Sequence, residues 1–213
     1  MTSIRAAGAA AVLTAAVLGA PSIAAADGWG GEVGVATDFV SKAITKTEGD
    51  PRVWGEIQYE HGATYAGASA SNVKLSPGGD SELELFAGYK PEALGFEFDM
   101  SATYKFYPGT RDGLKDHMWE FRVDAERDLG PVETRLRVEY TPDNYGSARE
   151  AWWYEARGRV KIASRTRLFA SVGARDLVNG PDYTGWGLGV THKLTDAASL
   201  EVGYWDTDRH ELG

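Results

Sequence analysis

The sequence of 213 residues contains no cysteine. This absence excludes a disulfide framework and every metal or catalytic site that depends on a thiolate. Histidine is scarce too, and none of the four histidines has a metal-binding spacing such as His-Glu-x-x-His. The best local pairing for a catalytic dyad is His210 with Asp206 and Asp208, but short acidic clusters in loops are usually just solvated. We therefore predict no enzyme activity, no catalytic residue, no metal site and no cofactor.

Long apolar runs are also missing. Beyond residue 26, no stretch approaches the roughly 18 to 20 apolar residues that a membrane-spanning helix needs. No stretch shows a convincing helical period of about 3.6 residues either. A membrane protein built from this chain must therefore be a β-barrel, because only helices and closed barrels satisfy their backbone hydrogen bonds in lipid.

The N-terminal segment has the three parts of a secretory signal peptide. Arg5 precedes a stretch rich in Ala, Val and Leu over residues 6–20, and three alanines follow at residues 24–26. The apolar part is too short to span a bilayer, and small residues at its end suit cleavage. We predict that residues 1–26 are a signal peptide and that residues 27–213 form one outer-membrane β-barrel domain.

Basic residues are too few to favour a nucleic-acid partner. Removing the predicted signal peptide takes away one arginine and no acid, which leaves 31 acidic and 21 basic residues and a net charge of −10. The sequence is instead rich in glycine, with 26 residues, and in Trp, Tyr and Phe, with 24 in all. This composition suits an aromatic-girdled β-protein.

Apolar and polar residues alternate along most of the chain, which predicts β-strands. Their typical length of about ten residues matches the 9 to 11 residues that a tilted membrane strand requires. The predicted fold class is therefore all-β, an antiparallel up-and-down transmembrane β-barrel. The eleven predicted strands cover residues 30–39, 52–60, 63–72, 81–90, 94–106, 117–128, 131–141, 150–161, 166–175, 182–194 and 198–206.

The connections between these strands alternate in length. Those after even-numbered strands are short, and those after odd-numbered strands are longer and polar. Short periplasmic turns opposite longer outer loops are typical of outer-membrane barrels, which in single bacterial chains have even strand numbers. With eleven strands, either a twelfth, closing strand is missing from this chain or one of the eleven is wrongly assigned. We favour the missing strand, and predict twelve in the complete barrel.

One face of each strand is apolar and the other is ionic. In the sixth predicted strand, Trp119 and Phe121 alternate with Glu120 and Arg122. An apolar interior would leave a void in a barrel of this width, whereas an ionic interior can hold water and Arg/Glu pairs. We therefore predict the apolar face toward lipid and the ionic face toward the lumen. Aromatic residues near strand ends are predicted to form interfacial girdles: Tyr59, Tyr65, Tyr89, Tyr107, Trp153 and Trp205.

The predicted lumen has an acidic wall on the fourth and fifth predicted strands and a basic wall on the seventh and eighth. The acidic wall consists of Glu82, Glu84, Glu97 and Asp99, and the basic wall of Arg135, Arg137, Arg157, Arg159 and Lys161. Two such walls would set a transverse field across a constriction and modulate ion selectivity. The alternative is that these charges pair with one another and close a non-conducting barrel. The predicted lumen-lining residues are Glu82, Glu84, Glu97, Asp99, Lys105, Glu120, Arg122, Asp124, Arg135, Arg137, Arg157, Arg159 and Lys161.

The first long loop contains the segment KAITKTEGD, residues 42–50. This segment could bind a ligand or fold into the lumen. Its polar composition favours the third alternative, an exposed and mobile surface loop.

Four motifs connect the chain to a known family: TDF at residues 37–39, SNV at 71–73, ELELFAGY at 82–89 and YPG at 107–109. With these motifs the chain resembles the TorF family of predicted porins, also called the Gcw_chp family. Two departures stand out, since SKAIT replaces an Arg-Gly-Ile-Ser type core and the C-terminal HELG lacks the family's closing aromatic strand end. The resemblance implies a proteobacterial outer-membrane barrel of porin type.

Together these patterns predict a narrow porin in the outer membrane of a Gram-negative bacterium. Small polar or charged solutes would diffuse passively through it, with lumen charges replacing part of their hydration. The expected partners are outer-membrane lipid and small solutes or ions. Two other classes stay open, a non-conducting structural or adhesive barrel and a soluble periplasmic lipid-binding barrel.

Overall fold

The computed structural model describes residues 10–19, 27–76, 78–146 and 149–209, with the backbone alone for residues 10–19. Within these ranges, every element of regular secondary structure is a β-strand. None of the described residues belongs to a helix long and apolar enough to cross a membrane. The strands are β1 (Ala10–Gly19), β2 (Gly28–Ala36), β3 (Val40–Ser41), β4 (Ile44–Thr45), β5 (Arg52–His61), β6 (Thr64–Asn72), β7 (Ser81–Tyr89), β8 (Glu92–Ala93), β9 (Phe96–Phe106), β10 (His117–Leu129), β11 (Val132–Thr141), β12 (Ala151–Ala163), β13 (Thr166–Leu177), β14 (Tyr183–Lys193) and β15 (Ala198–Thr207).

Twelve long strands form a closed ring of antiparallel pairs. From β9 to β15, each strand pairs with the next along the chain; β15 then pairs with β1, and β1 with β2. The order continues through β5, β6 and β7 to β9, whose pairing with β10 completes the circle. The short strands lie within connections, since β3 and β4 form a separate hairpin and β8 pairs only with β9. The predicted all-β antiparallel fold is confirmed.

All eleven predicted strands are present, with ends that agree within three residues. Their turns follow from local sequence. In the turns after β5 and β10, Gly62 and Gly130 have φ of 56° and 63°. Each glycine is the first of two residues between paired strand ends, the position where a type II′ hairpin turn requires glycine.

The origin of the twelfth strand differs from the prediction. The closing strand is not missing from the chain, because β1 lies between β15 and β2. It falls inside the predicted signal peptide, whose other residues, 1–9 and 20–26, lie outside the described residues. Cleavage after residue 26 stays a prediction, and it would leave an eleven-stranded chain whose seam lies between β2 and β15.

The two faces of the ring have opposite chemistry. Large apolar side chains on the outer face are exposed, for example Leu85 at 63% and Leu188 at 59%. On the inner face, Glu82 and Asp124 are only 3% and 4% exposed. The apolar face therefore points outward and the ionic face inward, as predicted, which inverts the usual arrangement of a water-soluble protein.

Candidate functional site: a charged interior crossed by a hairpin

The connection between β2 and β5 folds into the ring. Its hairpin, β3 and β4, presents Lys42 at the tip, where Nζ lies 2.7 Å from a carboxylate oxygen of Glu120 and 2.5 Å from one of Glu139. The hydroxyl of Tyr183 donates to the carbonyl of Lys42 at 2.9 Å. These partners lie on β10, β11 and β14, so the hairpin tip is held from several sides of the interior.

A compact hydrogen-bond cluster fixes the base of the hairpin. The hydroxyls of Thr45 and Thr47 donate to the same oxygen of Asp38 at 2.5 Å and 2.6 Å. Thr47 Oγ1 also accepts from the backbone N–H of Phe39 at 3.0 Å. Thr47 is fully buried and Asp38 is 7% exposed, so these bonds form out of contact with bulk water and hold the hairpin in one orientation.

A second lysine attaches the hairpin to the acidic wall. Lys46 Nζ lies 2.7 Å from Glu82, whose carboxylate also accepts from the Tyr107 hydroxyl at 2.9 Å. Burial lowers the pKa of the Lys46 ammonium, while the adjacent Glu82 carboxylate raises it. Burial also raises the pKa of the Tyr107 phenol well above its ordinary value, with the Glu82 charge as the next cause. Tyr107 therefore stays protonated and donates to Glu82.

The expectation of an exposed first loop is wrong for residues 42–47, which lie inside the ring, whereas residues 48–50 are exposed as expected. Its polar composition is real, but the charges of Lys42 and Lys46 complement carboxylates inside the ring rather than water. One feature of the sequence did indicate the inward position of the loop. The fourth to seventh predicted strands contain more acidic than basic residues, so their acids need cations from other parts of the chain. The alternation of residues within one strand could not show which cation pairs with these acids, because Lys42 and Glu120 are 78 residues apart.

The hairpin tip has an unusual backbone. Lys42 and Ala43 have φ of 54° and 61°. Two consecutive left-handed residues define a type I′ turn, for which Asn-Gly is preferred. Ala43 also packs closely on β14, since a Cβ built on Gly185 would lie 2.5 Å from its methyl group. Glycine at residue 185 thus gives the tip the space it occupies.

We expect Ala43→Gly to raise the free energy of unfolding by about 1 kcal/mol, because glycine adopts the left-handed region without the steric cost that alanine carries. The measurement is urea-dependent refolding in detergent micelles. Ala102→Gly in β9 is the control, and it should lower stability by about 0.5 to 1 kcal/mol, since glycine weakens a strand interior. If Ala43→Gly and Ala102→Gly lower the free energy of unfolding equally, the backbone at Ala43 is not strained.

On the acidic wall, Lys105 forms a bridge between neighbouring strands. Its Nζ lies 2.9 Å from Glu84 and 3.0 Å from Glu120. Together with Lys42 and Lys46, it places three cations among the acids of β7 and β10. The acidic wall is therefore compensated locally.

The basic wall contains one bidentate pair, one short single contact and several longer contacts. Asp124 accepts from Nε and Nη2 of Arg137, both at 2.7 Å. Arg135 contacts Glu155 at 2.6 Å. The remaining pairs are longer: Arg167 with Glu133 at 3.0 Å, Arg159 with Glu133 at 3.3 Å and Glu126 at 3.7 Å, Arg137 with Glu139 at 3.4 Å, Arg157 with Glu201 at 3.7 Å, and Arg122 with Asp124 at 3.8 Å and Asp99 at 4.0 Å.

Of the thirteen residues predicted to line the lumen, eleven take part in this ion-pair network. The other two, Glu97 and Lys161, are exposed near the end of the ring that carries the short turns. The network also contains residues outside these thirteen, namely Lys42, Lys46, Glu126, Glu133, Glu139, Glu155, Arg167 and Glu201. Whether any of these side chains faces a permeation path stays a prediction.

Four of the six residues predicted for the aromatic girdle lie inside the ring, and one of them, Trp205, lines an interior cavity. Tyr59 and Tyr89 are exposed as expected, but Tyr65, Tyr107 and Trp153 are 7%, 1% and 3% exposed. Inward glycines make room for two of these rings. A Cβ on Gly88 would lie 2.3 Å from the Tyr65 ring, and one on Gly173 would lie 2.3 Å from the Trp153 ring.

A cavity of 270 Å³ lies between the hairpin and the basic wall. Its lining includes four cations, Lys42, Arg135, Arg137 and Arg157, and three carboxylates, Glu139, Glu155 and Glu201. Among the described residues, no group of three or more His, Asp or Glu side chains could hold a metal ion.

The fold and the site define a closed antiparallel β-barrel with an apolar exterior and a charged, hairpin-crossed interior. Similar solved structures include a porin, at 12% identity and a TM-score of 0.44 over 83% of this chain and 77% of the porin. An outer membrane channel from Pseudomonas putida F1 is similar at 10% identity and a TM-score of 0.44, over 96% and 97% of the two chains. No curated protein sequence matches. The family described as "Bacterial protein of unknown function (Gcw_chp)" matches residues 24–212, and the chain belongs to this family.

Proposed function

We propose that the protein is an outer-membrane channel for passive diffusion of small polar or charged solutes. The proposal rests on one observation, the inverted surface of a closed ring. Apolar residues such as Leu85 and Leu188 are exposed outside, while Glu82 and Asp124 are buried inside. An exterior of this kind is stable in lipid, and an ionic interior can hold water.

The hairpin of β3 and β4 sets the width and charge of the proposed path. Its tip contacts β10, β11 and β14, so a solute that passes through the ring must pass beside it. The cavity between the hairpin and the basic wall is the space left on one side. Charged side chains around this space replace part of the hydration shell of a solute and select by charge.

A non-conducting barrel is the second candidate, and the same hairpin favours it. Lys42 and Lys46 tie the hairpin to carboxylates on β7, β10 and β11, and such ion pairs can hold a plug in place. A soluble lipid-binding barrel is opposed by the exposed apolar face, since it would require apolar residues inside. If the protein were a soluble lipid-binding barrel, it would be recovered in the periplasmic fraction. If it is a channel, it is recovered with outer-membrane vesicles.

Planar-bilayer recording separates the two membrane candidates. The protein is refolded in detergent, checked for heat-modifiable gel mobility, and added to a bilayer. We expect discrete single-channel steps. A correctly folded protein that inserts without any conductance would refute the channel and leave the non-conducting barrel.

Replacing Arg135, Arg157 and Arg159 together with glutamine should shift the reversal potential in a salt gradient toward cations, because three positive charges leave the interior. Arg137 is left in place since Asp124 depends on it. Arg165→Gln, in an exposed turn, is the control and should leave the reversal potential unchanged. An unchanged value in the triple variant would show that these residues do not face the permeation path.

A further inference from the structure

Two arginines of the basic wall lie directly opposite each other. Arg135 of β11 pairs in register with Arg157 of β12, and both side chains occupy the inner face. Like charges at directly opposed positions destabilise a sheet. The neighbouring interior pair, Arg137 opposite Glu155, has the favourable arrangement. Arg135 and Arg157 are therefore an unfavourable charge pair, and the fold contains other such pairs, including Asp99 with Asp124 and Glu32 with Glu56.

The carboxylates near Arg135 and Arg157 do not use all the hydrogen-bond donors of these two guanidinium groups. Nε of Arg135 and Nε of Arg157 are buried and have no hydrogen-bond partner among the described residues. Arg135 uses one nitrogen to contact Glu155 at 2.6 Å. The carboxylate paired with Arg157 is Glu201, at 3.7 Å, and that oxygen already accepts from the Thr191 hydroxyl at 2.9 Å.

The guanidinium of Arg157 is held in position without a bonded acid. Its Cζ lies 4.2 Å from the centre of the Phe169 ring, a cation–π contact that orients the planar fork. An oriented guanidinium with free N–H groups matches the two oxygens of a carboxylate. Desolvated donors of this kind gain most from an anion, because an unmet donor in a buried site is costly.

The adjacent cavity can accept such an anion. Both arginines line its 270 Å³, which exceeds the share of about 30 Å³ that one water occupies in the liquid. The other acids of the lining are already engaged, since Glu139 contacts Lys42 and Arg137. The cavity therefore holds room for a small oxyanion and a few waters beside donors that lack an acceptor.

We propose that Arg135 and Arg157 form a binding site for a small carboxylate inside the barrel. The site deepens the proposed channel function, on which its role in transport rests, by naming the class of solute. A carboxylate entering the cavity accepts hydrogen bonds from the guanidinium groups of Arg135 and Arg157, which both line it. The same two residues then separate a charged carboxylate from its neutral amide, which offers one acceptor oxygen and no charge.

The test is isothermal titration of the refolded protein in detergent with sodium acetate, and with acetamide as the neutral isostere. We expect acetate to bind and acetamide to bind at least about tenfold more weakly, the loss of one charge-assisted pair. Arg157→Gln should weaken acetate binding by a similar factor. Arg157→Lys, which keeps the charge but not the fork, should restore it only in part.

Arg167→Gln is the matched control, because Arg167 lies on the neighbouring strand β13 and contacts Glu133. It should change acetate affinity by less than about twofold, as expected for a separate site. The site is refuted if acetate gives no binding heat, if acetamide matches it, or if both variants weaken acetate equally. Titration needs no conduction, so binding without conductance would overturn the channel alone, and conductance without binding would overturn the site alone.

Discussion

Replacing residues 40–45 with two glycines will raise the single-channel conductance severalfold, because it removes the hairpin that crosses the interior. The backbone N–H of Lys46 already donates to the carbonyl of Phe39 at 2.6 Å. With two residues between them, this bond becomes the i to i+3 bond of a β-turn, so the excision closes without moving the flanking chain. Thr47 keeps its bond to Asp38 at the base. The measurement is planar-bilayer recording at fixed salt.

A pair of lysine variants separates the hairpin from a general charge effect. Lys42→Gln removes the cation that bridges two interior glutamates, while Lys74→Gln removes one that bridges two exposed carboxylates. We expect the first to raise the mean conductance in part, because the tip loses its anchor, and the second to match the native protein. Equal conductance of the native and excised proteins would contradict the prediction and place the path away from the hairpin.

The strands and their orientation followed from sequence because one periodicity governs them. In β10, Phe121 and Val123 alternate with Glu120 and Asp124 over the full strand, and a slip of one residue would exchange lipid-facing and interior side chains. The neighbouring strands repeat this pattern, so each prediction supports the next. Barrel width then selects the ionic face for the interior.

The hairpin could not be predicted in the same way, since its position depends on contacts between distant parts of the chain. In the sequence Lys42 is simply a polar residue of a loop. Its role becomes visible only in the fold, where β10 and β11 bring Glu120 and Glu139 next to its ammonium group. The inward positions of the tyrosine and tryptophan rings could not be predicted for a related reason. Tyr65 fits inside because Gly88 of the next strand leaves space, and strand pairing is not visible in a strand read alone.

The closing strand shows a different limit. Residues 10–19 have the composition of a signal peptide, and composition alone does not exclude a strand in the full chain. The match to the family begins at residue 24, beyond β1. The structure pairs β1 with both β2 and β15. Cleavage during export would therefore determine whether β1 stays between β2 and β15 or whether the ring closes without it.

Asp124→Asn will lower the free energy of unfolding by about 3 kcal/mol, the usual cost of removing one partner from a buried ion pair. Asp124 accepts two hydrogen bonds of 2.7 Å from Arg137, and the two side chains are 6% and 19% exposed. Asparagine keeps one acceptor oxygen but turns an amide N–H₂ toward the guanidinium. Arg137 then keeps its charge in the interior, where Glu139 at 3.4 Å and Glu155 on the neighbouring strand compensate it only in part.

Asp128→Asn is the matched control, because Asp128 lies on the same face of β10 but is exposed near its end. This variant should change stability by less than about 0.5 kcal/mol. The measurement is urea-dependent refolding, followed by tryptophan fluorescence and by heat-modifiable gel mobility. The double variant Asp124→Asn with Arg137→Gln should be more stable than Asp124→Asn alone, since two neutral amides can bond without a buried charge. If the double variant is the less stable of the two, the loss in Asp124→Asn does not come from an uncompensated guanidinium.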